Sequence, residues 1–217
     1  MNSPAPTPDP GRRERKRQQT LDHLAATAFA LFEAEGYEAV TMEQIAAAAD
    51  LAKGTLYNHF PVKEALLAHR FHGELAQALD GLMVRLAEPE PFARRLSQWL
   101  RTSAEWCERR RSYMWPYVRY RFLASEAAAR RRDGDGRSGL ERLFRLLILA
   151  GQASGELRRD LPAGQLADLL QHLYLGALMR WLATPGEGAP APTLEEEFAA
   201  IVELFVHGAA ARAGAAP

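Results

Sequence analysis

Residues 53–60 read Lys-Gly-Thr-Leu-Tyr-Asn-His-Phe. Leu56 and Phe60 lie four apart, one turn of helix, and can seat the segment on a core. The remaining residues, Lys53, Gly54, Thr55, Tyr57, Asn58 and His59, are polar or small. A helix seated on two anchors would turn an ammonium, hydroxyls, an amide and an imidazole outward. These groups donate to base edges and phosphate oxygens, and a short helix with such a face suits the major groove. The solvated face of an ordinary helix corner would have the same composition.

The surrounding elements supply the mounting. Thr41-Met42-Glu43-Gln44 has the form of a capping box, so a helix is expected to open after Thr41, with Met42, Ile45, Ala46 and Ala49 facing inward. Asp50-Leu51-Ala52 is the turn, Lys53–Phe60 the next helix, and Pro61 its stop. Upstream, Leu21, Leu24, Ala25, Ala28, Phe29 and Phe32 fall into helical spacing that ends at Gly36-Tyr37. Downstream, Lys63-Glu64 opens a long helix. Residues 1–11, with prolines at 4, 6, 8 and 10, are expected to be a disordered tail, followed by the basic run Arg12–Arg17.

Beyond residue 66 every periodic segment is also helical. Pro89 and Pro91 precede a helix carrying Phe92, Leu96, Trp99, Leu100, Ser103 and Trp106; an aromatic stretch and a Gly/Asp loop at 133–139 follow. Helices are then expected from Leu140 to Ala153, from Pro162 to Ala183, and after Thr193. No segment alternates with a period of two, so the fold class is all-α, about nine helices without repeats.

Composition narrows the function. The chain has 217 residues, with 27 Lys+Arg balancing 27 Asp+Glu. Residues 1–93 carry net −4, residues 94–145 net +8 and residues 146–217 net −4. A nucleic-acid binder built on a broadly basic surface is excluded, and any DNA contact must use a few placed cations. One cysteine, Cys107, excludes an internal disulfide and fits a reducing compartment. With no long apolar run and no apolar core near the N-terminus, a soluble cytoplasmic protein without membrane association is expected.

The stretch from Gly36 to Glu64 resembles the DNA-binding domain of the TetR family of bacterial transcriptional regulators. The resemblance rests on the Gly36-Tyr37 helix end, Thr41 as cap, Ile45-Ala46, the string Gly54-Thr55-Leu56-Tyr57-Asn58-His59-Phe60, and the Lys63-Glu64 pair. It is close over about residues 15–65, and farther on only helix count and the last two helices support it. It implies a helix-turn-helix domain over residues 12–65, with the motif at about 41–60, and a ligand-binding and dimerisation domain over 66–217. It also implies a homodimeric, ligand-responsive repressor with no catalytic activity, released from a palindromic double-stranded operator by a small molecule.

Carried onto this chain, the resemblance implies that Lys53, Gly54 and Thr55 approach base edges, and that Tyr57 and His59 donate to phosphate. Thr41, Lys63, Arg13 and Arg17 would add backbone contacts, and Asn58 occupies a position where the family varies. About three or four neutralised phosphates per subunit would give a dimer a salt slope on the order of −6, to which Lys63 contributes.

The helix from Pro162 to Ala183 is apolar on two stripes, one of them Leu175, Leu178, Met179 and Leu182. A monomer's outer helix needs one stripe, so the second is expected to meet a twin copy together with Gly176 and with Phe198, Val202 and Phe205 of the last helix. Burial of both stripes within one subunit is the alternative. For the effector, apolar or aromatic, the candidate lining is Trp99, Trp106, Trp115, Tyr117, Tyr120, Phe144 and His172; the alternative is that the aromatics fill the core. The +8 segment would favour an anionic or acyl ligand, or be a solvated face.

Three features point elsewhere and are set aside. His69 and His72 could suggest metal, but their ligand set is incomplete, and neither metal nor cofactor is expected. Asp133 and Asp135 lack the offsets of a calcium loop. Cys107 reads as a small buried hydrophobe. The competing classes are an all-helical metal-dependent enzyme built on those histidines, and a DNA-bound scaffold without inducer.

Overall fold

The structure, a computed structural model, describes residues 10–85, 90–123, 139–184 and 192–209. Most of the expected tail, the loop at 133–138 and most of the loop at 185–192 lie outside the described residues. The described residues form nine α-helices and no strand. They are α1 (Pro10–Glu35), α2 (Met42–Ala48), α3 (Lys53–His59), α4 (Lys63–Arg85), α5 (Phe92–Arg109) and α6 (Arg111–Val118), then α7 (Gly139–Ala153), α8 (Ala163–Ala183) and α9 (Leu194–Ala209). A π-helical turn, Arg119–Leu123, continues α6 beyond Pro116, whose missing N–H already interrupts that helix. None of the described helices is long and apolar enough to cross a membrane. The chain divides into two units, residues 1–73 and 74–217, with the division inside α4.

In the first unit α1 starts at Pro10, well before the periodic residues. Proline suits the first turn, where its missing N–H is not needed. The basic run is therefore helical. Leu21, Leu24, Ala25, Ala28 and Phe32 of α1 are buried, as are Val40, Ile45, Leu56, Phe60, Leu66, Leu67 and Phe71. Ring contacts close this core, Phe32 to Tyr37 at 5.0 Å and Phe29 to Phe71 at 5.9 Å between centroids. Gly36, at φ +85°, makes the left-handed turn that ends α1, and its N–H bonds to the Phe32 carbonyl at 3.0 Å.

The turn between α2 and α3 is a Schellman motif: Leu51 N–H donates to the Ala46 carbonyl at 3.0 Å and Asp50 N–H to that of Ala47 at 3.1 Å. The left-handed position is held by Asp50 at φ 53°, where glycine is usual. A short polar side chain tolerates that conformation better than a bulky one.

In the second unit Phe92, Leu96, Leu100, Ala104 and Cys107 form the buried stripe of α5. The start of α5 is capped from a distance, since the Glu156 carboxylate accepts the Phe92 N–H at 2.8 Å. Gly151 of α7 permits a close approach, because a Cβ there would lie 2.8 Å from Leu157 and 2.9 Å from Phe92. Arg111 caps the end of α8, donating to the carbonyls of Trp181 and Thr184, each at 3.0 Å, with its guanidinium 4.1 Å from the Trp181 ring. Part of the basic middle segment thus serves packing. Thr193 and Glu196 form a capping box at α9: Thr193 N–H donates to the Glu196 carboxylate at 2.8 Å and Glu196 N–H to the Thr193 hydroxyl at 3.2 Å.

Candidate nucleic-acid interface and effector core

The outer face of α3 follows from its anchors. Leu56 is fully buried and Phe60 nearly so, and burying such side chains contributes about 1.5–3 kcal/mol each. Lys53, Gly54, Tyr57 and Asn58 are consequently exposed, and Thr55 and His59 half-exposed. Gly54 has no atom within 4 Å of a Cβ built on it, so the backbone there is open to close approach. Arg13 and Arg17 are exposed on α1, Arg17 paired with Glu14 at 3.0 Å.

Several donors expected for DNA are engaged within the unit. The Lys63 ammonium donates to the carbonyls of Tyr37 at 2.5 Å and Val40 at 2.9 Å, in a partly buried position. It is a clamp between the start of α4 and the α1–α2 connection, and a phosphate contact at this position would draw on the remaining N–H of the ammonium. The Thr41 hydroxyl accepts the Gln44 N–H at 3.2 Å and spends its only proton on Gln44 Oε1 at 2.9 Å, so phosphate must compete with the cap. Gln44 in turn donates to Glu35 at 3.3 Å.

A residue that the spacing of donors does not reveal stands at the centre of this surface. Glu43 of α2 forms an ion pair with Lys53, and the Tyr57 hydroxyl donates to the same carboxylate oxygen at 3.5 Å. The Lys53 ammonium lies 5.7 Å from the Tyr57 ring centroid. The hydrogen bond from Lys53 is the main cause holding Glu43 below the usual carboxylate value, and the same bond raises Lys53. Glu43 is recognisable in sequence only as part of the capping box; its reach to Lys53 depends on how the turn folds α3 back.

The expected effector residues separate into two environments. Trp99 and Phe144 belong to a buried cluster, with their rings 5.1 Å apart, and each is 5.8 Å from Tyr174. Tyr174 stacks on Phe198 at 4.8 Å. Its hydroxyl lies 2.8 Å from Ser103 Oγ and 3.7 Å from Cys107 Sγ, a polar triad inside an apolar cluster. Burial raises the pKa of Tyr174 well above the usual phenol value and that of Cys107 to about 11. Tyr174 was concealed among the leucines of α8, although a buried tyrosine hydroxyl among leucines itself implies a partner.

Trp106, Trp115 and His172 have other surroundings, while Tyr117 is near enough to add to the rise of Tyr174. Trp106 donates to Glu74 at 2.7 Å and carries the Arg110 guanidinium 4.6 Å over its ring, while Trp115 is 48% exposed. Tyr117 and Tyr120 are half-buried. His172 is exposed on α8, its Nδ1 2.6 Å from the Asp168 carbonyl, and faces a groove toward α9 rather than the aromatic cluster.

The residues expected at a subunit interface also divide. Leu178, Phe198, Val202 and Phe205 are buried within the chain, Phe198 against Tyr174 and Phe205 against Phe92 at 6.5 Å. They are core residues, because α9 turns its apolar stripe toward α5 and α8. Leu175, Met179 and Leu182 are half-buried, and Gly176 is exposed. The outward face of α8 and α9 instead carries Leu169 at 49% exposure and Leu204 at 66%. The groove between them is lined by His172, Gly176, Arg180, Glu197 and Ala200, with Arg180 paired to Glu197.

No cluster of three or more His, Cys, Asp or Glu suited to a metal occurs among the described residues, and His69 lies 2.7 Å from Asp22.

Comparison with known proteins agrees with this geometry. Residues 24–69 match the family model for bacterial regulatory proteins of the tetR family. The HTH-type transcriptional repressor DhaR of Mycobacterium sp. strain GP1 is 26% identical, the alignment covering 76% of this chain and 83% of that protein. The HTH-type transcriptional regulator TcmR of Streptomyces glaucescens is 46% identical over 38% of this chain and 37% of its own. Among solved structures, Thermus thermophilus FadR, a TetR-family transcriptional repressor in complex with lauroyl-CoA, superposes with a TM-score of 0.72 at 25% identity, covering 91% of this chain and 98% of that one. These relatives are transcriptional regulators, and none supports the metal-enzyme alternative. A helix-turn-helix whose polar recognition face stands out from an apolar seat, in a segment that matches the tetR family model, makes residues 24–69 a TetR-type DNA-binding domain and the all-helical chain, similar throughout to these repressors, a transcriptional regulator of that type.

Proposed function

We propose that the chain acts as a homodimeric, cytoplasmic repressor without catalytic activity, reading a palindromic operator through α3 and releasing it when the larger unit binds a small molecule. The observation that carries this reading is the exposed face of Lys53, Gly54, Tyr57 and Asn58 on a helix seated by Leu56 and Phe60. Lys53, Gly54 and Thr55 meet base edges, Asn58 reads an adjacent one, and Tyr57 and His59 reach phosphate. Arg13 and Arg17 contribute phosphate contacts from α1, and Thr41 contributes where phosphate displaces its cap.

The two functions divide between residues 12–65 and 66–217. Two recognition helices related by a twofold axis require half-sites one helical repeat apart, and the exposed α8–α9 face with Leu169, Gly176 and Leu204 supplies the twin contact. The effector occupies the region of Trp99, Phe144 and Tyr174, whose Ser103–Tyr174 hydroxyl pair is the polar handle. Its class is apolar, aromatic or acyl; the Thermus relative holds lauroyl-CoA, and an anionic acyl thioester also suits a cation-rich middle segment.

A mobility-shift and footprinting experiment on the DNA upstream of the chain's own gene tests the reading, with lauroyl-CoA and free aromatic compounds added in turn. A twofold-symmetric footprint lost on effector addition is expected. No footprint overturns the DNA assignment. A footprint insensitive to every small molecule favours the scaffold reading.

A further inference from the structure

We propose that Glu43 is a specificity-determining residue of the DNA-reading surface, acting through Lys53: its carboxylate restrains Lys53 and Tyr57 from non-operator duplex and gives them up only where base contacts compensate. The inference rests on the DNA-reading role of α3. Glu43, Lys53 and Tyr57 are all exposed, and one carboxylate oxygen takes both the Lys53 ammonium and the Tyr57 hydroxyl across the α2–α3 turn.

Non-specific DNA affinity comes from cations that replace condensed counterions on phosphate. A lysine already neutralised by a carboxylate adds nothing to that exchange. Pulling it onto a phosphate leaves Glu43 alone beside a polyanion, and this opposes binding on every sequence. At an operator, an ammonium directed to guanine O6 and N7, or a carboxylate accepting from cytosine N4, offers compensation that random duplex lacks. Discrimination by penalising the wrong partner is the general logic of specificity.

The competing account is that Glu43 merely suits the N-terminus of α2, where the helix dipole favours an acid. That account involves neither Lys53 nor the salt dependence of DNA binding, and the test uses this difference.

Full-length wild type, Glu43→Gln, Lys53→Met and the double variant are titrated by fluorescence anisotropy against the footprinted duplex and a shuffled duplex of equal length, at several salt concentrations. Glu43→Gln is expected to tighten shuffled binding roughly tenfold and operator binding less than about threefold, and to steepen the shuffled-DNA salt slope by about one per subunit. In the Lys53→Met background the slope change and the preference for shuffled DNA should vanish, leaving an equal tightening on both duplexes as the unpaired carboxylate is removed. Equal tightening on both duplexes in the presence of Lys53, an unchanged slope there, or a preferential effect that persists without Lys53 overturns the assignment to Glu43 while the wild type still discriminates. A wild type that binds both duplexes equally overturns the DNA-reading role and this inference with it.

Discussion

The ammonium of Lys63 lies 4.3 Å from the ring centroid of Tyr37 while donating to that same residue's carbonyl at 2.5 Å. One cation at the start of α4 thereby holds both the face and the backbone of the residue that follows the α1 turn. A second bond, to the Val40 carbonyl at 2.9 Å, fixes the approach to α2. The helix-turn-helix is positioned by this clamp as well as by its apolar core.

Replacing Lys63 by Met keeps the aliphatic stem and removes the donors. Hydrogen bonds from a charged group contribute about 1.5–3 kcal/mol, so urea denaturation should show a loss of that order. The salt slope of operator binding separates a clamp from a phosphate contact, because carbonyl acceptors leave the charge in place, and an unchanged slope marks a clamp alone. A slope that falls by about one per subunit would return Lys63 to the phosphate contacts.

Asp50 at φ 53° sets the angle between α2 and α3. Asp50→Val should cost about 1–2 kcal/mol, because a β-branched side chain meets the carbonyl in the left-handed region. Asp50→Gly should stay within about 0.5 kcal/mol of wild type, relief of strain offsetting the greater freedom of the unfolded chain. Thermal melts of the two variants decide it, and equal losses would show that backbone conformation at 50 is not what matters.

Cys107 carries a prediction for alkaline pH. Its folded pKa, about 11, lies above the ordinary value of 9.0 because burial disfavours the thiolate. The folded state therefore keeps its proton longer than the unfolded state. This contribution to stability is complete below pH 9 and lost as pH rises toward 11, with a slope approaching about 1.4 kcal/mol per pH unit. Tyr174, raised above 10.0 for the same reason, extends the loss upward. Denaturation midpoints against pH should flatten over that window in Cys107→Ala relative to wild type. At pH 8 the folded thiol is ionised to about one part in a thousand, so iodoacetamide should label it only on unfolding.

Gly176 separates the subunit from the dimer. A Cβ there meets nothing within 4 Å in the single chain, so a side chain can start outward from the fold, and Gly176→Leu should obstruct a twin seated on the proposed α8–α9 face. Sedimentation should show a shift toward monomer with an unchanged helical circular-dichroism spectrum, and operator affinity should fall as paired half-site contact is lost. A dimer that persists would move the interface off the α8–α9 face.

The local pattern of the sequence determined most of the helices, the capping box at Thr41, the anchors Leu56 and Phe60, and the TetR-like recognition string, but not the helix Arg111–Val118 or the early start of α1 at Pro10. Each is a matter of spacing or of neighbours within a turn, where chemistry and conformation are read together. Tertiary structure decided which donors are free. Lys63, Lys53 and Arg111 are all cations, yet one clamps Tyr37 and Val40, one is shared with Glu43, and one caps α8. The same division separates Trp99 from Trp106, and buried Phe198 from exposed Leu204. A side chain's partner lies across a turn or on another helix, at a distance that no period in the sequence encodes, and that partner determines whether its charge or apolar surface remains available to DNA, effector or twin.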